Sequence, residues 1–272
     1  MNKWVRRILI AVFAAIFLIS SYHLVNYFIQ AKRNQDMNND LAGLVGTNAS
    51  SDPTDPSDPT DPTDPSDPTD PPPPPEVMDK YKELYALNND MVGWIKINST
   101  DINLPVMQTP DRPNYYLYRD FYGNYQPSDM DFRPGSLYAG EAFDVFTPSD
   151  NVVIYGHNMR DYSMFGCLLY YDRESFYKYQ PTFTFDTIYE EHTYQVIAVF
   201  RTSGTQGVGF PYHTFTNFES EEEFNSFIAK CKELSIYDTG ETAVYGDKLL
   251  TLSTCEYTIE NGRFVVVAKR IK

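Results

Sequence analysis

Between residues 52 and 75 the chain reads DPTDPSDPTDPTDPSDPTDPPPPP, with proline at every third position up to Pro71 and a proline run behind it. Proline lacks an amide hydrogen and holds φ near −65°, so this tract cannot build a helix or a strand ladder. Its seven aspartates, Asp52 through Asp70, repel one another. An extended tract of this kind rises about 3.1 Å per residue and reaches on the order of 75 Å. Residues 34–50 before it are polar and small, so 34–75 is predicted as one disordered stretch. Two readings of it stand, a spacer of tuned length and a generic linker, and both predict exposure.

The proline tract separates two unlike ends. Ile8 to Ile29 contains no Asp, Glu, Lys or Arg over 22 residues. At about 1.5 Å per residue, a helix of this length crosses a hydrocarbon layer of roughly 30 Å. Lys3, Arg6 and Arg7 precede it, which favours an N-terminus on the cytoplasmic side. A cleaved signal peptide is the competing reading. The run is long for that, and no A-x-A site comes after it. Residues 1–33 are therefore predicted as a cytoplasmic tip and single-pass anchor, with residues 34–272 outside the cell. Residues 76–272 are mixed and aromatic-rich, long enough to bury a substantial core. The net charge of −15 argues against nucleic acid as a partner.

Within 76–272 the pattern is of many short strands with few helices. Glu76 to Asn89 reads as a helix, with Val77, Tyr81, Leu84 and Tyr85 on one stripe. Val92 to Ile97, Ile102 to Met107, Gly135 to Ala139, Asn151 to Tyr155, Thr182 to Asp186 and His192 to Arg201 read as strands. Ser163 to Tyr171 reads as a short helix, and Tyr115 to Tyr125 has no clear period. Ser220 and Glu223 form a capping-box pattern ahead of a helix carrying Phe224, Phe227, Ile228, Cys231 and Leu234. The last two strands run to Cys255 and from Arg263, with the turn residues Asn261 and Gly262 between them. The sum predicts a mostly-β barrel with helical decoration.

The chemistry-bearing residues sit at strand ends. Alternation puts Leu250, Leu252 and Thr254 on one face of their strand, and Ser253 and Cys255 on the other. If the last two strands pair antiparallel, Cys255 and Arg263 meet at the mouth of the hairpin. A fixed positive charge there favours the thiolate. Cys231 falls on the apolar stripe of its helix, and Cys167 lies among Met164, Phe165, Leu168 and Leu169. Both read as core, which leaves Cys255 as the reactive candidate. No CxxC or Cys/His spacing suggests a metal. Val153, Tyr155 and His157 share a face of the NVVIYGH strand, and His157 stands at its end beside Gly156. His213, in a loop with Pro211, is the rival histidine.

LTLSTC (Leu250 to Cys255), RFVVVAK (Arg263 to Lys269), NVVIYGHNM (Asn151 to Met159), SMFG (Ser163 to Gly166) and NNDMVGWIKINSTDINLPVMQ (Asn88 to Gln108) together resemble the class B sortases. The resemblance covers roughly residues 76–272. It implies an eight-stranded sortase-like β-barrel with an N-terminal helix and a helix in the long loop before the penultimate strand. It also implies an extracytoplasmic cysteine transpeptidase of Gram-positive bacteria. Cys255 would be the nucleophile, His157 the acid and base, and Arg263 the oxyanion partner. Leu117, Tyr155, Ser253 and Glu256 would line the substrate groove, and residues 202–247 would shape substrate choice. The implied substrates are proteins bearing a sorting signal of the NPxTN or SPxTG kind, with a peptidoglycan amine as acceptor. No cofactor is implied. The family usually carries an acidic residue after the Gly135 to Ala139 strand, whereas Gly140 stands here.

Three other functions compete. A cysteine peptidase would hydrolyse its thioester, but papain-like enzymes place Cys before His in the chain, whereas His157 precedes Cys255. A pilin polymerase would use a lysine acceptor. A stalked binding module gives no reason for cysteine and histidine to end two strands.

Overall fold

The structure is a computed structural model that describes residues 2–48, 75–125, 134–147 and 149–272. Its frame is a closed barrel of eight strands: β1 Met91–Lys96, β2 Asn103–Met107, β3 Leu137–Ala139, β4 Asn151–Tyr155, β5 Thr182–Thr187, β6 Thr193–Ser203, β7 Leu249–Glu256 and β8 Gly262–Arg270. Around the barrel the order is β1-β2-β3-β4-β7-β8-β6-β5. The β2–β3 and β4–β7 contacts are parallel, and the other pairs are antiparallel. The helices are α1 Lys3–Asn48, α2 Asp79–Leu87, α3 Glu174–Tyr179 and α4 Glu221–Leu234. Short 3₁₀ segments span Tyr115–Tyr118, Gly166–Asp172 and Tyr212–Thr214.

The composition of the last strands follows from burial on both sides. Val266, Phe264, Leu250 and Leu252 point into the barrel with Ile95, Val106, Ile154 and Val196. Val265, Val267 and Leu249 point outward, against Phe224, Phe227, Ile228 and Cys231 of α4. A strand covered on both faces reads as a continuous apolar run rather than an alternating one, which is the FVVVA of β8. Ser220 caps α4 by accepting from the Glu223 amide at 3.2 Å, and Glu223 reaches back to the Glu219 amide at 2.8 Å. These two bonds satisfy donors that the first helical turn leaves open.

A third cluster lies outside β1 and β2, where Tyr81 and Leu84 of α2 pack with Trp94, Met107, Tyr116 and Phe121. Here the structure departs from the predicted spacer, which begins at residue 34. α1 instead continues to Asn48 and lays Met37, Leu41, Leu44 and Val45 onto this cluster, with Leu41 1% exposed. These residues follow helical spacing in a segment whose average composition is polar. α1 is exposed from Trp4 to Ser20, Tyr27 and Ala31 pack partly buried against the barrel core, and the helix is long and apolar enough to cross a membrane. The Asp-Pro repeat, residues 52–74, lies outside the described residues. The short helix α3 is a further element that the sequence pattern does not show.

Candidate active site

Two strand pairings assemble the site. In the β7–β8 hairpin Cys255 stands directly opposite Arg263. In the parallel β4–β7 pair Tyr155 stands opposite Ser253, and the Gly156 amide donates to the Ser253 carbonyl at 3.2 Å. Carrying that register two residues further sets His157 alongside Cys255. Two side chains hold the strand ends together there. The Thr254 hydroxyl donates to the Gly156 carbonyl, and the Asn158 amide donates to the Cys255 carbonyl, each at 2.8 Å. Gly156 is required by space, since a Cβ there would overlap Leu137 and Phe165.

The thiol, imidazole and guanidinium border one cavity of about 1300 Å³. Cys255 is partly exposed, whereas Cys167 and Cys231 are buried. Burial pushes both of those thiols upward, which keeps them protonated and inert. The Arg263 guanidinium is braced by its own loop, donating to the carbonyls of Asn261 at 3.2 Å and Gly262 at 2.9 Å. Gly204 lies against it, and a Cβ there would come within 3.1 Å of the guanidinium carbon. His157 stacks on Tyr118 with ring centres 5.7 Å apart, and its Nε2 is 2.6 Å from the Leu117 carbonyl. A carbonyl can only accept, so Nε2 carries a proton and Nδ1 is the basic nitrogen of the neutral ring.

The cavity walls are rich in tyrosine. Tyr138 and Tyr155 meet at 5.4 Å between centroids. Burial pushes the Tyr138 phenol up to about 12, opposed by the Arg263 charge. Burial also raises Tyr155 and Tyr212. All three stay neutral at ordinary pH. Ser253 is 1% exposed and shares a 2.6 Å hydrogen bond with the Tyr212 hydroxyl.

Of the seven site residues predicted from the sequence, His157, Cys255, Arg263, Leu117, Tyr155 and Ser253 border this cavity. Glu256 does not. It is 4% exposed, accepts from the Thr258 amide with both carboxyl oxygens at 3.0 Å, and lies 3.7 Å from Arg201. The reason is alternation: Glu256 comes after Cys255, so its side chain falls on the opposite face of β7. His213 also borders the cavity, on an exposed turn. Asn158, Tyr118, Tyr138 and Tyr212 are site residues that sequence reasoning missed. Asn158 stood in view, directly behind His157. Tyr212 is overshadowed in the sequence by its neighbour His213. Among the described residues no group of three or more His, Cys, Asp or Glu side chains could hold a metal ion.

A thiol with a basic imidazole on the next strand and a guanidinium across the hairpin suits acyl transfer through a thioester. Comparison with known proteins defines the class. Residues 95–271 match the sortase domain family. Sortase B of Listeria monocytogenes is 32% identical over 198 residues, 72% of this chain and 76% of that protein. Sortase B of Staphylococcus aureus is 31% identical over the same shares. A structure of the Staphylococcus aureus sortase B–substrate complex superposes with a TM-score of 0.71, at 26% identity, over 90% of this chain and 99% of that one. The chain belongs to the sortase family. Within it, the chain is a cysteine transpeptidase of the sortase B type.

Proposed function

We propose that the enzyme cleaves a C-terminal sorting signal of the NPxTN or SPxTG kind after its threonine and passes the protein to a peptidoglycan amine. The Cys255 thiolate attacks the threonine carbonyl, and the oxyanion that forms is met by the Arg263 guanidinium. The carbon–nitrogen bond then breaks, and the departing amine takes a proton from the His157 imidazolium. A thioester remains on Cys255. The acceptor amine attacks it, gives a proton to His157, and the thiolate leaves. Leu117, Tyr155 and Ser253 line the peptide's path, and the aromatic walls enclose it. The acceptor comes from a cell-wall peptide or its lipid-linked precursor. Residues 76–272 form the catalytic domain, and the apolar half of α1 is a single-pass anchor. Lys3, Arg6 and Arg7 keep the N-terminus in the cytoplasm, with the catalytic domain outside.

The observation that carries this reading is the Cys255–Arg263 pairing, with His157 two residues past the Tyr155–Ser253 pair. The test is mass spectrometry of a sorting-signal peptide incubated with the enzyme, with and without an amine acceptor. The wild type should yield the ligated product when amine is present. Cys255→Ala and His157→Ala should yield none. Hydrolysis alone at saturating amine would refute transfer and leave a cysteine peptidase. A lysine-bearing pilin that outcompetes wall peptides as acceptor would reassign the enzyme to pilus assembly.

A further inference from the structure

The imidazole of His157 is held by a backbone carbonyl, and that carbonyl belongs to a turn gripped from two sides. The turn is the 3₁₀ segment Tyr115–Tyr118. On one side Tyr116, 2% exposed, sends its hydroxyl out toward the end of α2. There it accepts from the Asn88 amide and donates to the Asp90 carboxylate, both at 2.8 Å. Asn88 is itself fixed, its backbone amide bonding Leu84 of α2 at 3.0 Å and its side-chain oxygen taking the Asp90 amide at 3.0 Å. On the other side Gly135, at φ +53°, lies so close that a Cβ would overlap the carbonyls of Leu117 and Tyr116. The Ser136 amide then donates to the Tyr116 carbonyl at 3.0 Å.

We infer that Tyr116 is a positioning residue for catalysis, its hydroxyl clamp to Asn88 and Asp90 aiming the Leu117 carbonyl that sets the tautomer of His157. This rests on the reading of His157 as the acid–base group. In many enzymes a buried carboxylate orients the histidine through the hydrogen on its second nitrogen. Here a main-chain carbonyl stands in that place. It adds no charge, and its aim depends wholly on the backbone that bears it. The tyrosine hydroxyl is what ties that backbone to α2. Without it the ring of Tyr116 can stay in its apolar seat while the turn loses its lateral restraint. A histidine freed from the carbonyl samples both neutral tautomers and other ring orientations, and only part of that population is competent.

The test uses the full chain in detergent, labelled with ¹⁵N in its histidine rings. Tyr116→Phe keeps the ring and removes the hydroxyl. At a pH where its ring is neutral, wild-type His157 should show its proton on Nε2. The variant should show mixed tautomers, a kcat lowered about tenfold, and a KM for the sorting-signal peptide within about twofold of wild type. A fall in kcat with the Nε2–H signature intact overturns the inference, and so does a changed signature at full kcat. If Tyr116→Phe fails to fold, Asp90→Ala at a 30% exposed carboxylate removes the hydroxyl's acceptor, and the same two readouts decide. His157→Ala separates this from the function itself. Full transpeptidation by that variant would remove His157 from the mechanism, whereas the tautomer spectrum of Tyr116→Phe reports on the clamp either way.

Discussion

Replacing Glu256 by alanine distinguishes a substrate-binding carboxylate from one that holds the hairpin loop. Its two oxygens take the Thr258 amide, a hydrogen bond to a charged acceptor that contributes about 1.5–3 kcal/mol. The Arg201 contact at 3.7 Å is longer, and Arg201 is 30% exposed, so solvent screens it to about 1 kcal/mol or less. The variant should therefore lose about 3 kcal/mol. For a domain of this size that corresponds to a Tm lower by roughly 6–12 °C. Thermal unfolding monitored by circular dichroism measures the loss. Steady-state kinetics at 20 °C, where the variant is still folded, should show KM for the sorting-signal peptide within about twofold of wild type. An unchanged Tm with KM raised tenfold would show that the carboxylate turns into the groove to meet substrate, and the assignment from burial would be wrong.

Three further outcomes are expected. Arg263→Lys keeps the charge but loses the planar fork, and kcat should drop by about 10²-fold with little change in Tm, checked by single-turnover acylation and a melt. Leu41→Ala opens a cavity between α1 and the barrel, and unfolding in urea should show a loss of about 2–5 kcal/mol, although Leu41 lies before the proline tract. For Tyr138 the folded phenol titrates at about 12 against about 10 when unfolded, so the folded state holds the proton more tightly. Its stabilising contribution is full below pH 10 and is lost as pH rises through 12. Melts between pH 8 and 12 should fall off less steeply for Tyr138→Phe than for wild type.

Much of the barrel was legible because its strands are short, β-branched and bounded by turn residues. β4 matches its predicted limits, and β7 ends and β8 begins within one residue of the predicted Cys255 and Arg263. Alternation alone put Cys255 and Ser253 on one face and pointed to the meeting with Arg263. The same rule, applied one residue further, turns Glu256 away from the groove, and there the family resemblance prevailed over a simpler local argument. Other features were hidden for a physical reason. The Leu117 carbonyl and the Tyr116 hydroxyl act across 40 and 28 residues of sequence, through contacts that exist only after the barrel closes. Side-chain type says nothing about a main-chain carbonyl's aim. The second half of α1 was obscured differently. Its four apolar contacts are diluted by Asn, Gln and Asp, so average polarity masked a periodicity that was present.

The packing of α1 onto α2 determines how the apolar N-terminal helix is joined to the barrel. The second half of α1 and the whole of α2 share one apolar cluster outside β1 and β2, two helices in contact. The proposed anchor is then joined to the barrel by α1 itself, a helix of 46 residues. With one continuous helix packed at one end, a tilt of the proposed anchor turns the barrel and the mouth of its cavity with it.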